Sequence, residues 1–131
     1  VTWKPEDTVH VSILSWLQAM LPHAIIAHVP NGGGRTEGEA RKMKRLGVLP
    51  GFPDLIVMPG GGQTLLLEVK AEKGRVSPEQ RAFGMRVTAL GGYVWAVVRS
   101  IDDVKIVLRS AGIQTREAGV EIPTRLVRDE A

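Results

Sequence analysis

Apolar positions along the chain fall into two rhythms. Val9, Ile13, Trp16, Leu17, Met20 and Leu21 recur at helical spacing, which predicts a helix over 5–21 with one apolar face. Pro5 suits its first turn, Glu6 and Asp7 suit the positive end of its dipole, and Pro22 stops it. AIIAHV (24–29) is short and rich in β-branched residues, a strand pattern, and PNGGG (30–34) is a turn. Thr36 followed by Glu39 is a capping-box pattern that opens a helix to Leu46, closed by Gly47. Pro50, Gly51 and Pro53 lead into a strand, DLIVM (54–58), and PGGG (59–62) turns the chain into another, TLLLEVK (64–70), so the two are expected to form a hairpin. Ser77, Pro78 and Gln80 start a helix that runs to Leu90, where Gly91 and Gly92 end it. YVWAVVR (93–99) is apolar throughout, which predicts a central strand. Ser100 caps a last helix to Ala111. The order α β α β β α β α predicts one α/β domain over 1–131, with a mixed sheet of about four strands flanked by helices. Its core spans about 5–112, and the tail 113–131 either adds an edge strand or wraps the body.

Composition narrows the class. A length of 131 residues suits one domain. A hydrophobic fraction of 44% with 24% charged residues excludes wholesale disorder. No apolar run approaches the ~20 residues of a membrane span. The absence of cysteine excludes disulfides, thiolate metal sites and cysteine nucleophiles, and makes an intracellular, cytoplasmic setting the expectation. The amino terminus, VTWKPEDTVH, has no basic region followed by an apolar stretch, so a signal peptide is not expected. It also has no initiator Met, which leaves room for a missing residue or leader.

The net charge is +3, and its distribution matters more than its size. Arg35, Arg41, Lys42, Lys44 and Arg45 face only Glu37 and Glu39 in one window. Lys70, Lys73, Arg75, Arg81 and Arg86 face only Glu72 and Glu79 in another. These windows suit either solvated helix faces or a phosphate backbone.

The chemistry-bearing segment lies between them. Asp54 begins one strand of the expected hairpin and Glu68 lies late on the other, so the two carboxylates meet near one end of the sheet. Glu68 and Lys70 share a face because strand side chains alternate. Glu68 is flanked by Leu65, Leu66, Leu67 and Val69, where a charge is costly without a partner or a metal. Two hard oxygen donors with a carbonyl and waters suit Mg²⁺ or Mn²⁺. Such a site, with Lys70 to orient or deprotonate water, suits phosphodiester hydrolysis. The competing reading is a polar strand face beside an ordinary Pro-Asp turn. Neither glycine run is a phosphate-binding P-loop, because neither ends in Gly-Lys-Ser/Thr.

These residues resemble the VRR-NUC domain, the virus-type replication-repair nuclease branch of the PD-(D/E)XK superfamily. The matching stretches are 28–33 (HVPNGG), 51–55 (GFPDL), 67–70 (LEVK), 74–80 (GRVSPEQ) and 91–93 (GGY), with Glu6, Val9, Ile13, Trp16 and Leu17 of the first helix. The resemblance covers about 5–105. It implies a restriction-endonuclease-like PD-(D/E)XK core and a metal-dependent nuclease. Asp54 and Glu68 would be metal ligands, with the Val69 backbone carbonyl as a third and Glu6 completing the set. Lys70 would be the catalytic lysine, and Gln80 would reach the site from its helix. Gln80 also has a capping-box reading, and Glu6 a helix-dipole reading. His10 stands where the family often has Gln, and unlike Gln it titrates near neutrality. His23 and His28 read as structural or surface residues.

Asn31 and Arg35 are candidates for phosphate contact near the site, and Arg41, Lys42, Lys44, Arg45, Lys73 and Arg75 for contact with the DNA backbone. Trp3 and Tyr93 are candidates for base stacking, and Trp16 and Trp95 for the core. The expectation is an Mg²⁺- or Mn²⁺-dependent endodeoxyribonuclease acting as a homodimer on branched DNA such as Holliday junctions. Flap or structured-DNA nicking is the alternative within the enzyme class. A non-catalytic DNA-binding module and a structural subunit of a larger complex are the alternatives outside it.

Overall fold

A computed structural model describes residues 2–30 and 36–116. It contains α1 (Pro5–Met20), β1 (Ile25–His28), α2 (Glu37–Arg45), β2 (Leu55–Gly60), β3 (Gln63–Val69), α3 (Pro78–Leu90), β4 (Tyr93–Val98) and α4 (Ile101–Ser110). The caps form where the sequence placed them. Thr36, Ser77 and Ser100 each accept the backbone N–H three residues on at 3.1 Å. Asp7 accepts the Lys4 N–H at 2.7 Å, which starts α1. Gly60, Gly61 and Gly62 all have positive φ, so the β2–β3 turn needs residues without a Cβ.

The strands form one sheet in the order β1-β2-β3-β4. The pairs β1–β2 and β2–β3 are antiparallel, and β3–β4 is parallel. This corrects the expectation that 93–99 is central: among the described residues β4 is an edge strand, and β3 is the buried one. β4 is apolar because helices cover its two faces. Val94, Ala96 and Val98 pack toward α4 and α1, while on the other face α3 lies so close that a Cβ on Gly84 would stand 2.5 Å from the Trp95 ring.

The main core lies between the sheet and the pair α1 and α4. It joins Ile13 and Leu17 to Leu55, Val57, Leu65, Leu67, Val69, Val98, Val104 and Leu108. Burying such side chains contributes ~1.5–3 kcal/mol each before entropy is counted. Leu66 and Glu68 alternate with the core residues of β3 and are buried too, beneath the layer that carries α3. Trp16 packs against the core and Trp95 against Gly84. The first residues of the tail run back toward α1, where the Arg116 N–H donates to the Met20 carbonyl at 2.8 Å. The remainder of the tail, Asn31 and Arg35 lie outside the described residues. No described helix is long and apolar enough to cross a membrane.

Candidate active site

The register that buries the hairpin also builds the site. Leu55 pairs with Leu67 across β2 and β3, so one step outward Asp54 stands opposite Glu68, and facing residues of an antiparallel pair project to the same side. Asp54 Oδ2 accepts the Val69 N–H at 2.8 Å. That bond fixes the carboxylate at the open end of the strand pair and extends the ladder by one side-chain contact.

Glu68 is 1% exposed. Its Oε1 accepts from Gln80 Nε2 at 3.0 Å, while Oε2 is buried with no hydrogen-bond donor. Burial above all holds this carboxyl well above the ordinary carboxylate range. A hydrogen bond with Asp54 that only the protonated acid makes, and the negative charge of Asp54, raise it further, and Lys70 opposes them.

Gln80 makes two contacts at once. Its Oε1 accepts the Ser77 N–H at 2.8 Å, closing the capping box, and its amide nitrogen reaches Glu68. Lys70 is 11% exposed at its side chain, and its Nζ lies 4.0 Å from Glu6 Oε1. Glu6 is raised by partial burial first, with Lys70 lowering it and Asp54 raising it. Glu6, Asp54, Glu68, Lys70 and Gln80 therefore converge where β2 begins, β3 ends, and α1 and α3 start.

Among the described residues no three His, Asp or Glu side chains form a metal-holding cluster. The donor set that does fit is smaller: two facing carboxylates, one with an orphaned buried oxygen, and backbone. A hard divalent cation that keeps several waters asks for no more protein ligands than that. The orphaned Oε2 is satisfied by either a proton or a cation.

Two further residues belong to this region. His28 read as structural or surface, and it is exposed, with its Nδ1 2.9 Å from the Asp54 carbonyl; because a carbonyl only accepts, Nδ1 is the donor. His28 also meets His10 edge to face at 4.6 Å. Burial and His28 lower the pKa of His10, which favours its neutral form. The two rings, with Trp3, Glu6 and Asp54, line a small cavity of about 220 Å³. Arg99 escaped the sequence reading altogether. Its Nη1 donates to the carbonyls of Ala71 at 2.8 Å, Gly74 at 2.7 Å and Glu72 at 3.3 Å, which ties down the turn directly after Lys70. The signal in the sequence was an arginine closing an otherwise apolar strand.

The cationic candidates are placed less closely. Arg41, Lys42, Lys44 and Arg45 lie exposed on α2, and Arg41 pairs at 3.9 Å with Glu37. Such an exposed pair holds little energy. Lys73 and Arg75 are exposed in the segment after β3. Trp3 is 62% exposed and its indole donates to Thr8 at 2.7 Å; Tyr93 is also exposed. A second cleft, of about 570 Å³, runs from α2 to the start of α3 and ends at Asp54 and Glu68.

With this geometry in view, the chain matches the family model described as the VRR-NUC domain over residues 4–100. A solved structure described as a VRR_NUC domain protein superposes with a TM-score of 0.64 at 24% identity, covering 93% of this chain and 100% of that one. That likeness speaks for the fold, an α/β domain with a four-stranded mixed sheet. A comparison with curated proteins gives no match.

Proposed function

The chain belongs to the VRR-NUC family, whose domains are nuclease-type and process DNA, and from that premise we propose that it is an Mg²⁺- or Mn²⁺-dependent endonuclease selective for branched DNA, acting as a homodimer. The observation that carries the reading is the buried Glu68 with its unpartnered Oε2, facing Asp54 and within reach of Lys70. A chain selected only for stability gains nothing from that arrangement, because an apolar residue of similar size fills the place at no desolvation cost.

Asp54, Glu68 and the Val69 carbonyl would hold the cation, with Glu6 at the rim. A bound Mg²⁺ or Mn²⁺ neutralises a phosphate oxygen and makes water more acidic. The chain's own groups do the rest. Lys70 orients or deprotonates the attacking water, or stabilises the negative charge that develops on phosphorus. Gln80 fixes Glu68 through Oε1 and leaves Oε2 turned to the site. Asp54 is held by the Val69 N–H. Water attacks phosphorus and gives up a proton to Lys70 or to solvent, the bond to the leaving oxygen breaks, and that oxygen takes up a proton from solvent.

Branched DNA suits a small domain with little surface for reading sequence. A two-fold dimer sets two sites against two strands of a junction. The test is a labelled panel of four-way junction, flap, plain duplex and single strand, each with Mg²⁺, Mn²⁺ or EDTA. Paired symmetric nicks on the junction, absent with EDTA, are expected. Cleavage that persists in EDTA contradicts the metal. No cleavage of any substrate with either metal favours the non-catalytic module.

A further inference from the structure

The cleft of about 570 Å³ that ends at Asp54 and Glu68 has a composition of its own. One wall is the side of α2 that carries Ala40, Met43 and Lys44. The other is Val48, Pro50 and Phe52, with Ser77 and Glu79 at the start of α3. The second wall is fixed. Gly51 has a φ of +81° and stands so close to α3 that a Cβ would meet the Glu79 carbonyl carbon at 2.4 Å. Phe52 packs on Phe83 with ring centroids 5.0 Å apart. The α2 wall differs: among the described residues that helix packs closely against no other element, although it shows Ala40 and Met43 to the cleft.

The lining decides what fits. Asp54 and Glu79 outnumber the one cation of the lining, Lys44, so a free anion gains little from the space. About half of the lining surface is apolar, supplied by Ala40, Met43, Val48, Pro50 and Phe52, which suits a flat ring with polar edges. Glu79 is exposed and able to accept from an amine or imino edge. The volume lies within the ~300–1,000 Å³ of ordinary ligand pockets. The end of the cleft is the phosphodiester site itself, so a ring seated here belongs to a nucleotide adjoining the phosphate under attack.

We propose that this cleft receives one unpaired base next to the scissile phosphate, with Met43 and Phe52 against its faces and Lys44 on the adjoining backbone. The proposal rests on the nuclease reading above and adds its selectivity. A base stacked in a continuous duplex cannot enter a concave site. Extruding it costs a few kcal/mol, a cost that an already open strand does not carry. Strand scission is thereby directed to branch points and single-strand borders without any contact that reads sequence.

The experiment uses the full chain with Mn²⁺ and three matched substrates. At the position flanking the scissile phosphate they carry a paired base, an unpaired base or an unpaired abasic sugar. The unpaired base is expected to be cut at least ~10-fold faster than both others. Equal rates for the unpaired base and the abasic sugar, or for the paired and unpaired bases, overturn the proposal. Should no substrate be cut, the nuclease reading fails separately, and 2-aminopurine at the same unpaired position decides the cleft. A fluorescence change on binding that is lost in both Met43→Trp and Ala40→Trp, each folded by circular dichroism, supports it. No change with the wild type, or the same change in all three proteins, overturns it.

Discussion

Glu68 shows most directly how one buried residue ties stability to chemistry. Its carboxyl is raised by burial and by Asp54, so it binds a proton more tightly in the folded chain than in the unfolded one. The stabilisation this gives is complete below the ordinary glutamate value and is lost as pH rises through the raised one. Metal-free protein is therefore expected to lose stability from about pH 5 upward. Glu68→Gln supplies an amide that donates toward Asp54 as the protonated acid does. In EDTA it should flatten this slope and raise Tm at pH 8 by ~4 °C or more. Parallel Tm profiles for the two proteins would contradict the account. Gln80 offers a second residue-scale test. Gln80→Glu keeps an acceptor for the Ser77 N–H but sets a negative charge where an amide met Glu68. A loss of ~1 kcal/mol in stability and slower cleavage are expected, and unchanged kinetics would leave only the cap.

At the scale of elements, local chemistry was legible and pairing partners were not. Ser77 with Gln80, the 59–62 glycine turn and the β2–β3 hairpin follow from residues a few positions apart, so the sequence displays them. The meeting of Asp54 and Glu68 follows from that hairpin alone. The edge position of β4 does not, because an apolar run reports that both faces are covered and is silent on whether both edges are paired. For the same reason Arg99 was missed: parallel β3–β4 pairing brings it to the turn after Lys70. α3 links fold to site, since its contact with β4 through Gly84 sets the height of Gln80 above Glu68. In Gly84→Ala, the helix-propensity gain of ~1 kcal/mol competes with a clash of ~1–3 kcal/mol against the Trp95 ring. The ring is packed and rigid, so the clash wins. Lower Tm in urea or heat melts is expected, together with slower cleavage in the folded fraction. A Tm at or above that of the wild type would show that α3 sits more loosely than described.

For the molecule as a whole, the site occupies one end of the sheet, and charge is arranged around that end. Acids gather at the centre, in Glu6, Asp54 and Glu68. Exposed cations lie on α2 and in the segment that holds Lys73 and Arg75. A polyanion is thus drawn to the periphery while its backbone meets carboxylates that only a cation or a proton can reconcile with it. Single-turnover cleavage of a labelled four-way junction with Mn²⁺, by wild type and by Asp54→Asn, tests this account most directly, with DNA binding measured alongside. The account predicts a rate loss of ~10³-fold or more in the variant with junction binding retained. A variant that cleaves at the wild-type rate would contradict it.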